Sequence, residues 1–301
     1  MEKEFSFLDL PEFRSAIAEF QAAADRPYYD EEADGAAREE YYRDIQIDDL
    51  DESGLYQALN RLLKKTHTGG KKYKPAVHLY PWVDLHEDGS ERRLKSIYSE
   101  QDLDPAELIA ADFRIERERE EVHRSMLANT SGFSMINPEH QFNLIEAAMP
   151  YNCEHVVPQS WFLKKEPMRG DLHHLFACEI RCNGFRGNTP YFDFPDFHEV
   201  IKQDCGKSVA EENKFEPAAG KGAVARATLY FLLRYPGEIN RTSREYTEDR
   251  IETILKWHRD NPITRHEKHR NAAIHEKQGN RNPLIDFPEW SERIDFMQGL
   301  G

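Results

Sequence analysis

The run from residue 151 to residue 191 constrains this chain more than any other feature. It contains three blocks, Tyr151-Asn-Cys-Glu-His-Val-Val-Pro-Gln-Ser-Trp-Phe162, Asp171-Leu-His-His-Leu-Phe176 and Ile180-Arg-Cys-Asn-Gly-Phe-Arg-Gly-Asn188. Glu154–Pro158 reads as a strand, Gln159–Gly170 as a long loop, Asp171–Ala177 as a second strand and Glu179–Gly187 as a short helix. Three histidines, a carboxylate beside one of them and a carboxamide therefore fall into one hairpin. Phosphodiester cleavage asks for this set: a base of near-neutral pKa, which histidine supplies, and a hard cation to stabilise the charge on phosphorus. Such a cation takes oxygen ligands, which Glu154 and Asn183 can offer. One geometric difficulty follows. Neighbouring strand residues face opposite sides, so Glu154 and His155 both reach one ion only if the strand is bulged or twisted there.

Around this block the periodicity is mostly helical. Helices are expected at about 10–24, opened by an Asp9/Glu12 capping box, and at 53–66, 104–128, 222–235, 248–260 and 265–278, the last with Thr264 and Glu267 as a capping box. Residues 73–100 read as extended with a turn at Glu87–Ser90, 129–150 as a loop, and 25–52 as a loosely held acidic segment with at most a short helix. Asn183-Gly184 taken alone reads as a turn. His266-Glu-Lys-His269 lacks the spacing of a zinc-protease motif.

The charge is uneven. The 301 residues carry a net −15, which argues against coating nucleic acid by bulk charge. Residues 1–54 hold 17 acidic and 5 basic residues, so most of the acidity sits there. The remainder is nearly balanced and contains two basic stretches. One has Arg61, Lys64, Lys65, Lys71, Lys72 and Lys74; the other has Lys214, Lys221, Arg226, Arg234, Arg241 and Arg244 against two glutamates. These form either a polyanion-binding face, with Lys64, Lys65, Lys71, Lys72 and Arg226 as contacts, or ordinary solvated surface. No apolar run approaches 18 residues, so no membrane-spanning helix is expected. The opening Met1-Glu-Lys-Glu-Phe5 lacks the plan of a secretory signal, which predicts a cytoplasmic protein unless another export route is used. On that footing disulfides are disfavoured. Cys153, Cys178, Cys182 and Cys205 are then either buried thiols or a structural zinc set.

The three blocks, in this order and spacing, resemble the bacterial endonuclease I family, non-specific nucleases of the ββα-metal (His-Me finger) group. Gln278–Asp286 resembles that family's closing motif, Leu255-Lys-Trp-His258 the segment before it, and Tyr41-Tyr42 with the helix to His67 its opening. The likeness covers roughly 41–290. It implies an α+β fold, mostly helical with a small antiparallel sheet and a ββα-metal core, with an acidic segment at 1–40 ahead of a nuclease domain at 41–301. It implies His155 as general base, Glu154 and Asn183 as ligands of one Mg²⁺ (or Mn²⁺ or Ca²⁺), and an arginine at the leaving group, for which Arg186 and Arg169 are the candidates. Asp171, His173, His174 and Asn188 support the site in this reading; Asp171 and His173 could equally be buried residues that pin the hairpin. The chain departs from the family at the loop between the first two blocks, at His174 where relatives often carry Asn, and in the insert around 100–150.

The expected activity is metal-dependent, largely sequence-non-specific cleavage of DNA, with RNA left open as a second substrate. The alternatives are an inactive nucleic-acid-binding relative and a sequence-specific restriction or homing enzyme. The acidic 1–54 segment is expected to shield the cationic cleft, in place of or beside a separate inhibitor.

Overall fold

A computed structural model describes residues 7–89, 91–129, 144–197, 204–240 and 246–301. The expected loop over 129–150 lies outside the described residues as far as 143, as do Arg241, Arg244 and the Ser90 turn position. The fold is α+β, with helices around three small antiparallel sheets. No described helix is long and apolar enough to cross a membrane.

The helices are α1 (Pro11–Ala22), α2 (Glu31–Tyr42), α3 (Glu52–Thr66), α4 (Pro105–Asn129), α5 (Ile180–Arg186), α6 (Lys221–Arg234), α7 (Glu248–Asp260) and α8 (Arg265–Gln278), with one-turn helices at Pro75–His78 and Pro283–Asp286. Side-chain caps fix several helix starts, those of α2, α3 and α8 among them. Asp51 accepts from Gly54 N at the start of α3, Asp30 from Ala33 N at the start of α2, and Thr264 and Glu267 close the expected capping box of α8. The Asp9/Glu12 box does not form. Leu10 is the N-cap of α1, Pro11 opens the helix, and Asp9 pairs with Arg14 instead.

Two apolar clusters fill the interior. One is built on α3, α6 and α7, the other on α1, α4 and the segment from 76 to 85. The strands β4 (Cys153–His155) and β5 (Leu175–Ala177) pair antiparallel between them, Cys153 opposite Ala177 and His155 opposite Leu175. Cys153, Leu175 and Ala177 belong to the second cluster while Phe176 belongs to the first. Successive strand residues thus feed opposite cores, and the hairpin is buried on both faces. Its strands are shorter than expected. Asp171 leaves the extended run because its side chain accepts from His173 N and starts a 3-10 turn over Leu172–His174.

Residues 73–100 are only partly extended. Pro75 opens a helical turn, and only β1 (His86–Asp88) and β2 (Glu91–Lys95) form the expected hairpin, with β3 (Asp102–Leu103) at its edge. A second hairpin, β6 (Gly206–Val209) with β7 (Lys214–Pro217), was not anticipated. Its turn residue Asn213 has a left-handed φ of 53°, which asparagine tolerates. The segment 144–148 is helical.

The acidic N-terminal segment is part of the folded body. Tyr42 is buried and its hydroxyl donates to Asp286 (2.9 Å). Arg26 pairs with Glu276 (2.6 Å), Asp34 with Arg281 (2.8 Å) and Glu19 with Lys277 (2.7 Å). Glu19 and Asp34 thus meet cations of α8 and the following tail, and Arg26 meets an acid of α8; Asn280, Arg281 and Asn282 of the tail are also buried. The closing segment Gly279–Asp286 is accordingly a docking element, which Asp34 binds through Arg281 while Glu19 binds the end of α8 through Lys277.

Arg226 corrects the sequence reading most sharply. It is 2% exposed, and both arms of its guanidinium meet Glu267 (2.5 and 2.9 Å) while Nη1 donates to Asn261 O (2.9 Å). A lone cation midway along an otherwise apolar helix is an internal tie, not a nucleic-acid contact. Arg226→Ala strands the Glu267 carboxylate and is expected to destabilise the fold by about 3–5 kcal/mol in denaturant unfolding. An unchanged midpoint would show that the pair does not hold α6 to α8.

Candidate active site

One cleft gathers the polar and charged side chains of the hairpin. It is lined by Glu154, His155, Arg169, Asn183, Arg186 and Asn188, together with Tyr73, Arg119, Glu146, Gln159 and Lys164. β4 delivers Glu154 and His155, the turn before β5 delivers Arg169, and α5 delivers Asn183 and Arg186.

His155 is buried with its ring against Tyr73 (centroids 4.4 Å apart). Its Nε2 lies 3.0 Å from Arg169 O. A carbonyl only accepts, so Nε2 carries the proton and Nδ1 holds the lone pair. Among the described residues no protein group bonds Nδ1, and it is not sealed in the core. Burial, then the neighbouring His174 ring, hold His155 well below the usual histidine range, against the pull of the Arg169 carbonyl. The ring is therefore neutral at pH 7, with a free base nitrogen in the cleft.

Glu154 is held through one oxygen. Its Oε1 accepts from Tyr98 OH (2.9 Å) and Arg186 Nη1 (2.8 Å). Oε2 has no protein hydrogen bond among the described residues. Burial pushes the carboxyl up to about 7, opposed by Arg186 and Tyr98. Asn183 donates its Nδ2 to Cys153 O (2.8 Å), which fixes the amide and frees its Oδ1. A buried carboxylate oxygen and a carboxamide oxygen without protein donors form a hard-oxygen set suited to a divalent cation. The strand pairing is regular through His155, so no bulge is needed. Both neighbours border the cleft because it opens where the strand ends.

Arg186 is not available to a substrate. It is 1% exposed, and besides Glu154 it donates to His155 O (3.2 Å), Val156 O (2.9 Å) and Thr189 O (3.1 Å) while stacking on Tyr191. It clamps β4 to α5. Arg169 is more open: Nε donates to Gln159 (3.0 Å), Nη2 to Glu146 (2.7 Å), and the guanidinium lies over Tyr73.

Behind the cleft Asp171 accepts from Tyr230 OH (2.7 Å), Tyr235 OH (2.8 Å), Gln278 Nε2 (2.8 Å) and His173 N (3.1 Å). His173 Nε2 faces Asn280 O, and His174 Nε2 lies 2.6 Å from Met168 O. These three residues pin the turn that presents the Arg169 carbonyl to His155. Asn188 is exposed at the rim. Lys71 and Lys72 immediately precede Tyr73, and Lys71 O packs so closely on Gly170 that a Cβ there would lie 1.7 Å from it. Lys64 and Lys65 are exposed at the end of α3 and do not line the cleft.

The cysteines do not form a zinc set. Cys182 and Cys205 are joined in a disulfide, while Cys153 and Cys178 are buried free thiols. A disulfide sulfur offers no thiolate to zinc. The bond ties α5, which carries Asn183 and Arg186, to the start of the β6–β7 hairpin. Tyr73, Tyr98, Glu146 and Gln159 were missed in the sequence. Only Gln159, beside the first block, had a local signal.

The sequence profile of the family described as endonuclease I matches residues 54–289. An extracellular ribonuclease of Bacillus subtilis (strain 168) is 31% identical over 158 residues, 48% of this chain and 54% of that protein. An extracellular deoxyribonuclease of Aeromonas hydrophila is 34% identical over 124 residues, 40% of this chain and 50% of that protein. A periplasmic deoxyribonuclease of the same organism is 33% identical, over 40% of this chain and 48% of that protein. The chain spans about half the length of the relatives it matches. Their names overturn the cytoplasmic placement expected from the first residues: they point to export, and the Cys182–Cys205 disulfide, disfavoured on that expectation, fits an oxidising compartment.

The Asp171 hub makes a pH prediction. Burial alone would raise this carboxyl, but His67, His173, His174 and the Gln278 hydrogen bond outweigh it and hold it well below the usual range. A depressed folded pKa contributes stability above the unfolded value of about 4 and loses it as pH falls toward the folded value. Asp171→Asn should therefore be less stable than the native protein at pH 7 by about 2–3 kcal/mol. The gap should close below about pH 4; a gap independent of pH would remove the charge-based account.

Proposed function

The chain belongs to the endonuclease I family, and from that premise we propose that it is a metal-dependent, largely sequence-non-specific endonuclease with a ββα-metal core formed by β4, β5 and α5. The observation that carries this reading is the pairing, in one cleft, of a free His155 Nδ1 with two unclaimed oxygens, Glu154 Oε2 and Asn183 Oδ1. DNA is the expected substrate. RNA enters as a second polymer through the names of the Bacillus relatives.

Glu154 and Asn183 would hold a Mg²⁺ or similar ion, whose role is to stabilise charge on the phosphoryl and leaving oxygens. His155 Nδ1 removes a proton from the attacking water, and the Arg169 carbonyl at Nε2 keeps the ring in the tautomer that can do so. The P–O3′ bond breaks, giving a 5′-phosphate and a 3′-hydroxyl, as the family resemblance implies. Arg169, unlike Arg186, has a guanidinium at the cleft surface that can face the leaving oxygen. Arg186 and Tyr98 keep Glu154 oriented. Lys71 and Lys72, which precede the cleft residue Tyr73 without lining the cleft themselves, would meet backbone phosphates at its edge. An exported enzyme suits a non-specific nuclease, which would otherwise meet its own cell's nucleic acid.

His155→Ala is expected to lower plasmid cleavage by about 10²–10⁴-fold with no change in unfolding midpoint. Undiminished cutting by that variant sinks the assignment. EDTA should abolish cleavage and added Mg²⁺ restore it; an inert protein under both conditions would favour a binding-only relative, and a discrete digest pattern a sequence-specific enzyme. Tyr98→Phe removes one hold on Glu154 and should raise the Mg²⁺ needed for half-maximal rate about 10-fold. An unchanged metal requirement would argue against Glu154 as a ligand.

A further inference from the structure

Glu146 stands in the cleft among three cations. Its Oε1 meets Arg169 Nη2 at 2.7 Å, its Oε2 meets Lys164 Nζ at 3.2 Å, and Arg119 Nη1 lies 3.9 Å from Oε1. All four residues line the cavity that holds His155, Glu154 and Asn183. Arg119 is set from behind, through Met149 O (2.8 Å) and the face of Tyr151. Lys164 comes from an unusual turn in which Leu163 and Lys164 both have left-handed φ, 58° and 54°. Non-glycine residues hold that conformation at a cost, and such strain collects where a side chain must be delivered to a site.

Three cations thus converge on one carboxylate of the cleft. A carboxylate also has the recognition pattern of a phosphodiester, one negative charge shared over two oxygens that accept from a forked guanidinium. Glu146 belongs to the 144–148 helical segment at the end of the insert, so the anion comes from a part of the chain separate from the three blocks that build the catalytic groups.

We propose that Arg119, Lys164 and Arg169 form a phosphate subsite of the cleft, and that Glu146 fills it in the free protein as an internal phosphate mimic that the nucleic-acid backbone displaces. The inference rests on the nuclease reading for the identity of the ligand. Exchange of Glu146 for substrate phosphate releases Arg169 toward the reacting group, so each binding event competes with an internal ion pair. Glu146 thereby sets the affinity of the cleft and the salt range over which it works.

The test uses Glu146→Gln in the full chain, both with His155 intact and in a His155→Ala background. Binding of a short labelled DNA duplex to the His155→Ala proteins is read by fluorescence anisotropy over a salt series. Removing the mimic should tighten binding several-fold at low salt and steepen the plot of log K against log salt by about one phosphate contact. With His155 intact, KM should fall while kcat is maintained. Glu211→Gln, the same charge change on an exposed turn, controls for net charge and should have little effect. Lys164→Gln provides a second reading and should weaken binding and flatten the salt plot.

Equal tightening by Glu146→Gln and Glu211→Gln overturns the proposal, as does unchanged binding in Lys164→Gln. A fall in kcat at constant KM in Glu146→Gln also overturns it, because Glu146 would then be a positioning residue for Arg169. The binding arm does not depend on cleavage. If the Glu146→Gln gain appears but no protein cuts DNA, the nuclease reading fails and the subsite stands. If the parent cuts DNA and the gain is absent, the subsite fails alone.

Discussion

Glu154 and Arg186 meet at 2.8 Å with at most 2% of either side chain exposed. Removing two charges from water costs several kcal/mol per ion, and their attraction repays this only when the remaining donors and acceptors are also satisfied. Here they are satisfied mostly by the backbone of the catalytic strand. Arg186 spends its other hydrogen bonds on His155 O, Val156 O and Thr189 O, so the ion pair and the position of β4 are one structure. Tyr98 and Tyr191 share a hydrogen bond beside it and link the pair to both sides of the cleft. The proposed metal-binding role of Glu154 and the structural role of Arg186 therefore cannot be separated by truncating either one.

The same economy holds for His155. Its tautomer depends on a carbonyl, that carbonyl depends on the turn at 168–174, and the turn depends on Asp171. Asp171 in turn depends on Tyr230 and Tyr235, from the central helix and its end, and on Gln278. The tautomer of His155, the proposed general base, is thus set by contacts that reach across 107 residues of sequence. This explains why the closing motif is buried: Gln278 and Asn280 act through the turn, at one remove from the chemistry.

What was legible in the sequence follows the same division. The local order of strand, turn, strand and helix was readable because Glu154, His155, Asp171 and Asn183 lie within one supersecondary unit. The main helices were readable because each buries one periodic face or carries its own cap. Contacts made over long separations were not. Tyr73 packs on His155 from a segment that looks merely extended, and Glu146 enters from the insert. Charge sign was a poor guide because it says nothing of burial. Arg226 looks like a surface cation and is an internal tie; Arg186 looks like a substrate contact and is a clamp. The cysteines were misread because the compartment was inferred from the first residues, whereas pairing depends on two sulfurs from α5 and β6 being brought together.

The acidity of the chain can be placed on this footing. Glu19, Glu31 and Asp34 are matched by cations of α8 and the tail, while Arg26 meets Glu276 of α8. Exposed charges more than about 8 Å apart are largely screened at physiological salt, so this paired segment contributes little to the field in the cleft. What a phosphate meets there is set by a short list: Arg119, Lys164 and Arg169 against Glu146, and Glu154 already matched by Arg186. On that scale three cations surround the site despite a formal net of −15. A protein of strongly acidic composition can therefore hold a site for a polyanion, provided the acids are spent on internal docking and the few cations of the site are concentrated where water is partly excluded.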